Sequence, residues 1–191
     1  NNKMAFNTSK SKGSVDINGG GTIKVKEVTE TGAELSSPDT PHDIGYIEDS
    51  SFTDDRAKIV VHDETGTAVR PIFTTRSVMV TATMLQSATS NLVFAKETAD
   101  KFYQQYKDNG VVNGYRQEMF FAIGGITPKT EVKWGANAVV KTPYEYEALK
   151  NDSAVTFSAS AWGAYCGSGS LSATTITVPA GDIYVFVNTA V

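Results

Sequence analysis

An imidazole- or thiol-based reaction centre or a metal site in this chain would have to draw on two histidines, one cysteine and a set of acids. His42 lies in Pro-His-Asp and His62 beside Asp63, far from the four-residue spacing of a helical zinc site. Surface or turn positions are the expectation for both. Cys166, in Ala-Tyr-Cys-Gly-Ser-Gly-Ser, offers a thiol on a glycine-rich turn, but no base neighbours it. Packing among small residues is its expected role. A lone cysteine also excludes an internal disulfide and a thiolate-based metal site, which suits a reducing compartment or an assembly without bridges. Gly163, Gly167 and Gly169 lack the Gly-Lys-Ser/Thr of a phosphate loop and read as a flexible loop. Glu48, Asp49, Asp54 and Asp55 lack the Asp-x-Asp-x-Asp order of a calcium loop and read as a solvated acidic segment. The expectation is a protein with no catalytic residues, no cofactor and no metal.

The elements around these residues point to a framework. The chain has 191 residues, 40% of them hydrophobic, enough for one domain with a sizeable core. No apolar run approaches the roughly 18 residues needed to cross a bilayer, so no membrane partner is expected. The net charge of −4 argues against a nucleic-acid binder. Residues 1–21, rich in Ser, Asn, Lys and Gly, read as a flexible N-terminal arm, and 22–191 as the single domain. The opening is too polar for a signal peptide, and Asn1 in place of Met is expected of a processed, trimmed or fragmentary chain.

Alternation predicts strands over 22–28, 56–62, 67–73 and 76–86, with Asp63-Glu64-Thr65-Gly66 as a turn and Pro71 marking an edge. Residues 36–55, with two prolines and many acids, read as a long loop that contacts a partner. Residues 90–107 read as the one amphipathic helix: Leu92, Ala95, Ala99, Phe102 and Tyr106 form an apolar stripe, with Ser90 as N-cap and Asn109-Gly110 as the stop. Further strands are expected over 115–123, 130–141, 154–160, 174–178 and 183–187, with 144–149 either strand or helical turn. The fold class is therefore mainly β, a β-sandwich or barrel with one flanking amphipathic helix.

The run from Asp43 to Ala95 resembles the first half of the major tail tube proteins of tailed bacteriophages. The shared pattern is a Gly-Tyr strand (Gly45-Tyr46), a long loop, a strand, a turn with Asp and Gly, and an edge strand. A long strand from Val78 to Gln86, a polar hinge and an Asn-Leu-x-x-Ala helix (Asn91, Leu92, Ala95) complete it. Many relatives carry Gly after the Glu-Asp turn where this chain has Ser50. The resemblance implies a structural virion protein: hexameric rings of this chain stack into a tail tube, assembled in the host cytoplasm. Tape measure protein and other tail proteins would be its partners, and DNA would pass the lumen without specific binding. An acidic lumen repels phosphates and so lets DNA slide. In such an assembly Pro38, Asp39, Pro41, His42, Asp43, Tyr46, Phe52, Asp54 and Asp55 are the expected contacts between subunits. The competing readings are a carbohydrate-binding or adhesin-like β-sandwich, using Trp134 and Trp162 to stack on sugars, and a capsid decoration protein.

Overall fold

The computed structural model describes residues 21–28, 41–85, 101–128, 141–167 and 174–191. These form nine strands and one short helix: β1 (Thr22–Val28), β2 (His42–His62), β3 (Ala68–Leu85), β4 (Lys101–Lys107) and β5 (Tyr115–Pro128) come first. β6 (Lys141–Leu149), β7 (Val155–Ser158), α1 (Ala159–Trp162), β8 (Thr175–Val178) and β9 (Tyr184–Ala190) follow. The mainly β expectation holds, with antiparallel pairing throughout.

The strand order β4-β1-β2-β3-β6-β5 closes on itself because β4 also pairs with β5. Closure leaves β9 as an extra strand on β5, whose first half pairs with β9 and whose second half pairs with β6. The side-chain period of two then separates two cores. Ile23, Val25, Val78, Val80, Phe102, Phe121, Tyr144 and Tyr146 fill the barrel. Their sequence neighbours Tyr103, Phe120 and Ala122 point outward and pack under the β7–β8 hairpin and α1, against Phe157, Trp162 and Val178. Gly124 is required by this closure, since a Cβ there would overlap the Tyr146 ring and the Glu147 carbonyl.

The cap is pinned by charge as well as packing. Lys24 Nζ donates to the Trp162 carbonyl at 3.0 Å, and Lys107 Nζ to the Gly163 carbonyl at 2.6 Å. The buried Glu118 carboxylate accepts from Gln105 Nε2 at 2.9 Å and from the Tyr165 amide at 2.9 Å. Burial raises the Glu118 pKa, opposed mainly by that Tyr165 amide. The helix itself is one turn, with Ser158 as N-cap and Gly163, in the left-handed region, ending it.

Two expectations are corrected. Residues 101–107, read as the end of a helix, are strand β4; the rest of that helix, 86–100, lies outside the described residues. Phe102 and Tyr106 share a face at a spacing of four, which fits both periods. The two Gln residues between and beside them decide the matter: Gln104 faces the Tyr144 hydroxyl in the barrel and Gln105 faces Glu118 beneath the cap. The long loop is the second correction. From His42 onward it is the first half of β2, one continuous strand reaching His62. Its Glu-Asp turn is instead a register shift between Ile47 and Asp49, and Ser50 bonds the Tyr106 hydroxyl at 2.8 Å. The N-terminal arm 1–20, Pro38, Asp39, Trp134 and the Asn91-Leu92-Ala95 motif lie outside the described residues.

Candidate interaction site

β2 and β3 are far longer than the barrel needs. β1 is registered with β2 between His42 and Tyr46, and β6 with β3 only from Val78 onward. Beyond about Asp55 and Ser77 the two strands pair, among the described residues, only with each other, forming a two-stranded ribbon that ends in the 63–67 turn. β2 runs antiparallel to β5, so the ribbon extends toward the end of the barrel where β5 starts and β9 finishes.

The tip is rigid by its own bonding. Asp63 Oδ1 accepts from the Thr65 amide (2.9 Å), the Thr65 hydroxyl (2.7 Å) and the Thr67 amide (2.8 Å). These bonds, the Thr65 hydroxyl first, hold the Asp63 pKa below the usual carboxylate range. Gly66, at φ 78°, takes the left-handed position that the turn requires.

Between tip and root the ribbon is apolar on both sides. Ile59 pairs with Ile72 and Val61 with Arg70 on one face; Lys58 pairs with Phe73 and Val60 with Pro71 on the other. Ile59, Phe73 and Val69 are 58%, 59% and 62% exposed. All the exposed large hydrophobic residues among those described lie on this ribbon, at its root (Phe52), or at strand and chain ends on the same end of the barrel (Val111, Tyr115, Leu149, Val191). Such a concentration marks an interaction surface. Two-stranded ribbons are marginal alone in water. Covering one of these half-exposed side chains returns on the order of 1 kcal/mol. One face alone therefore falls short of an association cost of about 4 kcal/mol or more.

The root is braced to the barrel. Arg76 donates through Nε to Asp54 Oδ1 at 2.8 Å and through a terminal nitrogen to Oδ2 at 2.6 Å. The Tyr184 hydroxyl of β9 donates to the same Oδ2 at 3.0 Å, and the guanidinium lies 5.6 Å from the Tyr184 ring centre. The Arg76 bonds hold the Asp54 pKa low against partial burial, with Tyr184 adding to the effect. Phe52 sets its ring on Tyr184 at 5.2 Å and on Phe121 at 6.2 Å.

No described residue covers one barrel wall. Opposite the cap, the outward residues of β2, β3 and β6 include Asp49, Ser51, Thr53 and Asp55, then Ser77, Met79, Thr81 and Thr83, then Glu145 and Glu147. The described side chains of this set carry four acids and no base. A shallow hollow of about 220 Å³ lies between Asp49, Thr81, Pro143 and Glu145.

The expected contact residues divide accordingly. Pro41 leads into β2 and His42 and Asp43 begin it, Tyr46 marks the last pairing with β1, and Asp55 opens the ribbon on the acidic wall. Phe52 and Asp54 are engaged within the chain as the root of the ribbon. Sequence reading missed Ile59, Val61, Ile72 and Phe73 as a surface, although the apolar runs Ile59-Val60-Val61 and Pro71-Ile72-Phe73 on either side of the turn were the available signal. Trp162, offered as a sugar platform, is buried in the second core. Cys166 is half-buried and free. No group of three or more metal-binding side chains occurs among the described residues. In comparisons with known proteins, no family model and no curated protein matches the chain.

Proposed function

We propose that this chain is a structural subunit that assembles with copies of itself, as a tail tube protein does: rings of six, stacked into a conduit through which DNA is ejected. The observation that carries this reading is the braced, two-faced apolar ribbon projecting from a closed barrel. A monomeric binding module gains nothing from such a ribbon, which exposes aggregation-prone edges. A subunit that must reach another layer needs one.

In this reading the acidic wall lines the lumen and the β7–β8 cap faces outward. Asp49, Asp55, Glu145 and Glu147 then repel phosphates, so DNA moves past without counterion-release binding. Tape measure protein and other tail proteins are the further partners that such a tube requires. Electron microscopy of the purified protein, combined with mass measurement in solution, tests the reading. Rings or tubes support it; a monomer at high concentration that binds glycans overturns it in favour of a carbohydrate-binding module.

A further inference from the structure

An asparagine followed by glycine can modify itself without an enzyme, because glycine has no side chain to keep its amide nitrogen from the asparagine side chain. The described residues hold this pair twice, as Asn109-Gly110 after β4 and Asn113-Gly114 before β5. Both asparagines are exposed, so access does not separate them. Backbone bonding does. Asn113 and Gly114 form a two-residue type I′ turn, at φ 52° and 79°. Across it Val112 and Tyr115 exchange bonds of 2.8 Å and 2.9 Å, and the Gly114 carbonyl accepts from the Val191 amide at 3.0 Å. Cyclisation requires the asparagine to turn about its Cα–C bond, which at Asn113 breaks all three. Asn109 belongs to no strand. The Gly110 amide after it donates to a side chain, Asp108 Oδ1 at 2.9 Å, which can move with it. The fixed points lie before the site: the Asp108 amide donates to the Gln117 carbonyl at 3.0 Å, and the Asp108 carbonyl accepts from the Tyr165 hydroxyl at 2.9 Å.

We infer that Asn109-Gly110 is a self-modifying site, and that Asn113-Gly114 is protected by its turn. The Gly110 nitrogen bonds to Asn109 Cγ; its proton and the side-chain amino group leave together as ammonia, and a cyclic imide closes. Water, the one co-reactant, opens the imide at either carbonyl. The products are aspartate and isoaspartate, whose main chain runs through Cβ and Cγ. Each adds one negative charge to a chain at −4, beside the Tyr165 hydroxyl that lies 3.4 Å from Asn109 Oδ1. Isoaspartate also lengthens the main chain between the Asp108 carbonyl, which holds Tyr165, and the hairpin into β5. The change accumulates with the age of the folded chain and is independent of its assembly.

The test incubates one sample of the folded chain and one in denaturant at mildly alkaline pH. Peptide mass mapping follows both sites, with isoaspartate identified by methyltransferase labelling. In the folded chain Asn109 should convert at least about tenfold faster than Asn113, because broken backbone bonds add to the barrier only at the second. In denaturant the two rates should converge. Equal folded rates, faster conversion at Asn113, no conversion at Asn109, or an unchanged ratio in denaturant overturns the inference. Gly110→Ala should stop conversion at Asn109 and leave Asn113 as it was; undiminished conversion contradicts the chemistry. Should that variant not fold, the wild-type ratio decides.

Discussion

Arg76 holds Asp54 with two parallel bonds, and Tyr184 from another strand shares the same carboxylate, so both strands of the ribbon are tied to β9 at the root. Paired donors of this geometry orient as much as they stabilise. Asp54→Ala is expected to cost only about 0.5 to 1 kcal/mol of global stability, because the pair is partly exposed. Its larger effect is on the ribbon: amide hydrogen exchange should rise across 56–76 while the barrel strands stay protected. Arg76→Lys keeps the charge, loses the fork, and should give the same exchange pattern.

The same pair sets a pH dependence. Asp54 has a folded pKa below its unfolded value, so its contribution is present above the unfolded value and is lost as pH falls through the folded one. Ribbon exchange, corrected for intrinsic rates, should therefore increase on acidification below the ordinary carboxylate range. In Asp54→Asn that step should vanish.

Glu118 runs the opposite way. Burial raises its pKa, so the charged form opposes folding at neutral pH, and stability should improve as pH falls through the raised value. Glu118→Gln removes the buried charge and can still accept the Tyr165 amide; its new amide can donate to Gln105 Oε1, which otherwise lacks a partner. Denaturant unfolding should show Glu118→Gln as neutral or stabilising at pH 7. Glu118→Ala should lose about 2 kcal/mol, because the Tyr165 amide and Gln105 are left unpaired.

Gly124→Ala tests barrel closure. The added methyl meets the Tyr146 ring and the Glu147 carbonyl, neither of which can yield without moving the β5–β6 pairing. A loss of about 3 kcal/mol or more is expected by chemical denaturation. Gly66→Ala, in open space at positive φ, should cost only about 1 kcal/mol.

What the sequence disclosed follows the strength of its patterns. Val78, Val80 and Ala82 alternate cleanly because one side of β3 is core, and the Asp63–Gly66 turn has unmistakable chemistry. β2 was half hidden, since Asp49-Ser50-Ser51-Phe52-Thr53 has one apolar residue and its outward side chains are polar. Strand β4 was misread because both of its faces are buried, so Phe102, Tyr103 and Tyr106 show no alternation. The one-turn helix Ala159–Trp162 is too short to leave a periodic trace. The candidate site was legible only in part: the chain positions of Phe52 and Asp54 were picked out, but their work at the root depends on Tyr184, distant in sequence.

Self-assembly through the ribbon is the property on which the proposed role depends. Sedimentation of the wild-type chain beside Ile59→Ser/Phe73→Ser, with matching far-ultraviolet dichroism, measures it directly. Large wild-type assemblies and a folded monomeric variant are expected; assemblies of equal size in both, or monomers in both, would rule out a subunit that assembles through the ribbon.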